Sequence, residues 1–268
     1  MHGCAAVITG ASSGLGAELA RQLAPRAAAL VLVARRAEAL ETVKAELLGL
    51  KPGLAVHCVV ADVSTDQGRT ILLEALSPSG LKPNLLINNA GMGDYGSFAS
   101  ADAAKLRAQI DINVTALTLL CHAFIPVLTA TAERPAGILN VSSLAGNVPM
   151  PDLAVYAASK AYVTSFTEAL RIELMDRHII VAAVCPGPTP TNFGKNARRP
   201  DGEDTNREGQ GLLRVPPAAV VGRALLALER GEACVFPGAG VSIVAPLFRL
   251  MPRALLRYVL ARRHQKAA

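Results

Sequence analysis

Short apolar runs and segments of helical period alternate along most of the chain. Cys4-Ala-Ala-Val-Ile8 is uniformly apolar, as a strand covered on both faces would be. Ala17–Ala24 follows with helical spacing and stops at Pro25. The pattern then repeats. Ala28–Ala34, Leu54–Ala61, Asn84–Asn88, Ile138–Val141, Ile179–Val184 and Ala233–Pro237 read as further strands. Ala37–Leu48, a long segment opened by Asp102, the stretch from Tyr156 to about Arg177, and Ala218–Glu229 read as helices. This alternation predicts an α/β fold with a mostly parallel sheet and helices on both sides. Two stretches depart from it. Residues 192–217 are polar and contain glycine, which predicts a flap over a site, and Val241–Arg263 reads as two short helices broken at Pro252.

Composition narrows the picture. At 268 residues, with no linker-like stretch, the chain fits one α/β domain better than two, residues 1–268 as a unit. Hydrophobic residues make up 51% and aromatics only 4%, so the core is aliphatic. The five cysteines are odd in number and widely spaced, which predicts small buried thiols in a reducing, cytoplasmic setting. The five histidines are scattered without ligand spacing, so no metal site is expected. The start of the chain lacks the charged-then-apolar pattern of a leader. Ile110–Ala130 is apolar over most of its length but carries Asp111, Asn113, His122 and Pro126, which suits a buried interface helix better than a membrane span. Much of the formal charge of +6 lies in the tail, at Arg253, Arg257, Arg262, Arg263 and Lys266, so nucleic acid is not an expected partner.

The candidate chemistry falls at strand ends. Thr9-Gly10-Ala11-Ser12-Ser13-Gly14-Leu15-Gly16 joins the first strand to the first helix. Glycines there let the backbone approach a pyrophosphate, and a helix N-terminus offers unpaired N–H groups. The second strand ends at Arg35-Arg36 with no acid at its tip, where an acid would bind a ribose 2′-hydroxyl and arginine a 2′-phosphate. The pair therefore points to NADP(H), against the plainer reading that it solvates the next helix. Asp62, before Val63, could accept from an adenine amino group or cap a helix. Asn88-Asn89-Ala90-Gly91 suits a flat adenosine or ribose, and Asn113 is a polar residue in apolar surroundings that serves structure or holds a water. Tyr156 and Lys160 are four apart, hence on one helical face. A lysine ammonium favours a phenolate, and a hydroxyl such as Ser143 can hydrogen-bond a carbonyl oxygen. The alternative is a surface Tyr–Lys pair with no chemistry.

Taken together, Thr9–Gly16, Asp62-Val63, Asn88–Gly91, Asn113, Ser143, Tyr156-Ala-Ala-Ser-Lys160 and Pro186-Gly187 with Thr191 resemble the classical short-chain dehydrogenase/reductase family over roughly residues 4–237. The resemblance implies a Rossmann-type, doubly wound parallel sheet of seven strands in the order 3-2-1-4-5-6-7. It implies that Tyr156 is the acid/base, that Ser143 steadies the carbonyl oxygen, and that Lys160 binds the nicotinamide ribose and lowers the tyrosine pKa. Asn113 would hold the water linking Lys160 to solvent. Ser143 is preferred to Ser142 because it lies thirteen residues before Tyr156. The cofactor would rest on Gly10, Ser12, Ser13, Gly14, Leu15, Gly16, Arg35, Arg36, Asp62, Val63, Asn89, Ala90, Gly91, Tyr156, Lys160, Pro186, Gly187, Thr189 and Thr191. A homodimer or homotetramer is implied, with helices at 102–130 and 154–177 between subunits.

The expected activity is NADP(H)-dependent interconversion of a carbonyl and an alcohol. The rival is a catalytically idle NADP-binding sensor or scaffold of the same fold. The pocket would be shaped by 92–98, 144–153 and 192–217, and Met92, Leu144, Met150 and Phe193 suggest an apolar lining for a lipophilic ketone or aldehyde. The basic, aliphatic 241–268 segment could lie on a membrane surface. Docking on its own domain or on a partner subunit is the favoured reading, because Pro252 breaks any long face.

Overall fold

The computed structural model describes residues 2–76, 81–128, 130, 135–197 and 211–265. Its elements run β1 (Cys4–Thr9), α1 (Gly14–Leu23), β2 (Ala27–Ala34), α2 (Ala37–Leu50), β3 (Ala55–Val60), α3 (Asp66–Leu76), β4 (Leu85–Asn88), α4 (Ala103–Ile110), α5 (Leu117–Phe124), β5 (Ala136–Val141), α6 (Ala154–Glu173), β6 (Ile179–Val184), α7 (Asn192–Ala197), α8 (Pro217–Glu229), β7 (Cys234–Val235), α9 (Ala239–Leu250) and α10 (Arg253–Gln265). All strand pairs are parallel, in the order β3-β2-β1-β4-β5-β6-β7. This is the expected doubly wound sheet.

Alternate residues of the central strands feed opposite cores. Cys4, Ala6 and Ile8 of β1, with Leu30, Leu85, Leu139 and Ala182, pack beneath α1, α2, α8 and the start of α9. Val7, with Val31, Leu86, Ile138 and Val181, packs beneath α3, α5 and α6. Strands covered on both faces have no polar alternation, which is why they read as continuous apolar runs.

Several elements differ from the sequence expectation. α3 has no predicted counterpart. Thr65 caps it, its hydroxyl accepting from Gly68 N–H at 3.0 Å. The helix opened by Asp102, whose carboxylate accepts from Ala104 N–H at 2.9 Å, is interrupted by a π-helical turn at Asp111–Ala116 and ends at Phe124, not near residue 130. Most of the apolar 110–130 stretch (Leu117, Leu120, Cys121, Phe124, Leu128) enters the chain's own core. Ile110, Leu119 and Val127 stay exposed.

The tail divides at Pro252 as expected, with α9 and α10 bent by 117°. Val241 and Ala245 of α9 are fully buried in the core under Gly187 and Leu213, so α9 docks on its own chain. No single helix among the described residues is long and apolar enough to cross a membrane. Half of the segment expected to form a flap, residues 198–210, lies outside the described residues.

Candidate active site

The carboxyl ends of β1 to β6 place nearly all the candidate residues along one edge of the sheet. After β1 the chain turns through Gly10 at φ +65°, a conformation that strains other residues. It then enters α1 so closely that a Cβ on Gly16 would fall 2.2 Å from the Gly10 carbonyl oxygen. Thr9 and Asn89 buckle this turn to the tip of β4. Thr9 Oγ1 accepts from the N–H groups of Asn89 and Ala90, both at 3.0 Å, and Asn89 Nδ2 donates to the carbonyls of Thr9 and Gly10 at 2.9 and 3.2 Å. Ser13 is the N-cap of α1, yet its side chain makes no capping hydrogen bond. The first turn of α1 thus presents N–H groups that no side chain has claimed. Leu15 packs on the core, and Thr191 lies over Gly14, where a Cβ would meet the threonine Cβ at 3.5 Å.

The two arginines flank this turn on the β2 and β3 side. Arg36 Nη2 reaches Ser12 Oγ at 3.5 Å, and Arg35 Nη1 stands 3.7 Å from Asp62 Oδ2. Arg35 is 78% exposed, leaving most of its guanidinium available. Asp62 organises the loop after β3, with Oδ1 accepting from Ser64 N–H at 3.0 Å and Ser64 Oγ at 2.6 Å. Partial burial raises its pKa, but the Ser64 bonds and Arg35 outweigh this and hold the carboxyl below its usual value. Of the two roles open for Asp62, helix capping is excluded, since Thr65 caps α3. The Val63 side chain is buried in the core, so only its backbone faces the edge.

Beyond β5 the chain delivers two serines with different surroundings. Ser142 is buried, donating to Lys160 O at 2.8 Å and meeting Thr164 Oγ1 at 2.7 Å. Ser143 instead turns outward, accepts from Ala145 N–H at 3.2 Å and stands near enough to the Tyr156 phenol to lower its pKa. Lys160 is 5% exposed; its Nζ donates to Val141 O at 2.8 Å and lies 5.8 Å from the Tyr156 ring centroid. Burial pushes the lysine down to about 8, with Cys185 opposing. Burial pushes the phenol up to about 12, with Ser143 opposing and Cys185 adding to the rise. The net shift of the tyrosine is upward, opposite to the expected lowering by Lys160: desolvation dominates, and the lysine ammonium donates to the Val141 carbonyl.

Asn113, 1% exposed in the π-helical turn, accepts from Met92 N–H at 3.0 Å and donates to Met92 O at 2.9 Å and Ser159 Oγ at 3.0 Å. Its Oδ1 and Lys160 Nζ flank Gly91, at 3.0 and 3.5 Å from where a Cβ would stand. Ser159, absent from the sequence candidates, donates to Tyr156 O at 2.7 Å and so ties Asn113 to the Tyr156 helix. Its position three residues after Tyr156 was the available signal.

The loop after β6 completes the edge. Pro186 O accepts from Leu144 N–H at 2.9 Å, and Thr189 Oγ1 donates to Gly187 O at 3.1 Å. α7 then closes over the site. Phe193 packs on Tyr156 with ring centroids 5.5 Å apart, and Ala197 O accepts from Tyr95 N–H at 2.7 Å. Gly96 N–H reaches Asp152 O at 2.9 Å, so the three segments expected to shape the pocket do meet. Leu144 is a correction: it turns into the core instead of lining the pocket.

A profile of the family described as short chain dehydrogenase matches residues 4–202. The chain belongs to the short-chain dehydrogenase/reductase family. It is 38% identical over 187 residues to a sulfoacetaldehyde reductase of Chromohalobacter salexigens, covering 69% of this chain and 72% of that protein. Among solved structures, a short-chain dehydrogenase from Sphingobium yanoikuyae in complex with NADPH superposes with a TM-score of 0.79 at 32% identity, covering 91% of both chains. A 3-ketoacyl-(acyl-carrier-protein) reductase from Brucella melitensis complexed with NADH gives 0.76 at 28% identity over 90% of this chain and 99% of that one. As a short-chain dehydrogenase, the protein is an oxidoreductase.

Proposed function

We propose that the protein is an NADP(H)-dependent carbonyl reductase/alcohol dehydrogenase acting on a lipophilic ketone or aldehyde. The observation that carries this is the buried Lys160 ammonium 5.8 Å from the Tyr156 ring, with Ser143 near the phenol, on the same edge as the glycine turn. An idle nucleotide sensor has no use for such a set. The dinucleotide fits the residues present. The unclaimed N–H groups of α1, crowded by Gly10 and Gly16 so that no side chain intrudes, suit a pyrophosphate. Arg36 beside Ser12 and the exposed Arg35 suit a further 2′-phosphate. Asn89, Ala90 and Gly91 would border the adenosine ribose, with Asp62 and Val63 beside the base. Pro186, Gly187, Thr189 and Thr191 would border the nicotinamide. When bound, the reduced nicotinamide supplies hydride to a carbonyl carbon.

The chain's own residues do the rest. Ser143 and Tyr156 hold the carbonyl oxygen by two O–H donors, and Tyr156 gives it a proton as charge develops there. The Lys160 ammonium favours the phenolate this leaves, and the Asn113 region carries the replacement proton. Phe193 against Tyr156 presents an apolar surface to the substituent, supporting a lipophilic substrate.

The test is oxidation of NADPH and NADH against a panel of ketones and aldehydes. NADPH is expected to be preferred, and Arg36→Asp, which also sets an acid beside the ribose, should raise the KM for NADPH by about 10–100-fold, the size of a lost charged contact or two. A wild type that uses NADH better, or no turnover on any carbonyl while NADPH binds, overturns the reading.

The reading includes a cytoplasmic homodimer or homotetramer. In its support, Leu119 at 41% exposure stands beside the Thr118–Tyr162 contact on α5 and α6, and Ile172 is 70% exposed on α6. Leu119→Asp should shift the sedimentation coefficient towards that of a monomer. A wild type already monomeric at micromolar concentration contradicts this part.

A further inference from the structure

The thiols of Cys185 and Cys234 stand 3.5 Å apart. They come from the ends of neighbouring strands. Cys234 pairs with Ala183, and Cys185 N–H donates to Val235 O at 2.8 Å, so the two side chains lie diagonally on one face of the sheet. Their surroundings differ. Cys234 is partly exposed and lines a surface cavity of about 480 Å³ with Arg223, Phe236 and Gly238. Cys185 is fully buried, lies 3.6 Å from Thr164 Oγ1 on the Tyr156 helix, and directly precedes Pro186-Gly187. One end of the pair meets solvent and the other meets the candidate active site.

We propose that Cys185 and Cys234 are a peroxide-oxidised dithiol whose disulfide reversibly inactivates the enzyme. The Cys234 thiolate attacks one oxygen of hydrogen peroxide, breaking the O–O bond and forming a sulfenic acid with release of hydroxide. The Cys185 sulfur then displaces the sulfenic oxygen, which leaves as water once protonated. Two thiols are oxidised by two electrons and one peroxide is reduced to two waters.

Closure has a mechanical consequence. The sulfurs must approach from 3.5 Å to about 2 Å. Diagonal neighbours on a sheet start wider than an ordinary disulfide span, so backbone moves with them. β7 is a two-residue edge strand followed by Gly238 at φ +96°, and Cys185 leads into Pro186, whose carbonyl holds the N–H of Leu144. The pull therefore reaches the residue after Ser143.

The experiment titrates the full-length enzyme with hydrogen peroxide and follows peptide masses, NADPH binding and turnover together. The expected result is a linked Cys185–Cys234 peptide about 2 Da below the sum of its thiol forms, formed before oxidation at the other cysteines. Turnover should fall at least about tenfold and return with dithiothreitol, since the inactive form is a disulfide. Cys234→Ser should keep basal turnover and resist the same dose. Conversion of Cys234 to a sulfinic acid without a cross-link, or equal inactivation of Cys234→Ser, overturns the proposal. The mass readout does not depend on the proposed reaction, so failure of one is distinguishable from failure of the other.

Discussion

Tyr156→Phe is expected to lower turnover by about 10²–10⁴-fold while leaving NADPH affinity within a few-fold of wild type, the range associated with loss of a positioned acid. The substitution removes only the hydroxyl. The ring, its packing on Phe193 and the helix that carries it remain. What disappears is the proton donor near Ser143. Stopped-flow turnover with a substrate from the carbonyl panel, alongside fluorescence titration of NADPH, separates the two effects. Retained turnover would remove Tyr156 from the acid/base role; lost NADPH binding would mean that the phenol holds the dinucleotide instead.

The same geometry gives a pH dependence. With the phenol pushed up to about 12, Tyr156 stays protonated and ready to donate across the neutral range. Lys160, pushed down to about 8, loses its charge first as pH rises. Reduction should therefore run level through neutral pH and fall above about 8, with the descending limb set by the lysine. Alcohol oxidation needs the phenolate as base and should gain with pH over the same interval.

How much of this was legible in the sequence follows from the kind of signal each part leaves. Doubly covered central strands leave apolar runs, the edge strands β3 and β7 are apolar enough to read the same way, and the parallel order followed from the resemblance. Glycines forced by close approach leave a mark as well: Gly16 has no room for a side chain. α3 left a weaker trace, because only Leu72 and Leu76 of its apolar residues enter the core. Its start was nonetheless written in Thr65 and the polar residues around it. Leu144 was misplaced because the extended Ser143 and the short turn after it set side-chain direction by local dihedrals, not by any period. The π-helical turn around Asn113 has no pattern of its own in a sequence. Nor has the balance at Tyr156 and Lys160: a spacing of four shows that both share a face, but how much water each has lost depends on the packing of distant elements.

Lys160→Met is expected to abolish most turnover, by about 10²-fold or more, while leaving the protein at least as stable as wild type at pH 7. A lysine whose pKa falls from 10.5 to about 8 on folding carries a penalty of about 3 kcal/mol at neutral pH, since the folded state holds the proton less well than the unfolded chain. Methionine fills similar volume and removes that penalty. Against this stands the lost bond to Val141 O, which costs about 1–3 kcal/mol if the carbonyl finds no other partner. The sign of the pH effect is fixed. Between about 8 and 10.5 the unfolded wild type binds more protons than the folded one, so its stability rises with pH there relative to Lys160→Met. Denaturant melts of both proteins at pH 7 and pH 10 measure this difference. If instead the wild type gained nothing on Lys160→Met over that interval, the ammonium would be well solvated in the fold. Its place beside Tyr156 would then be that of a surface charge, not of a cation held in reserve for the phenolate.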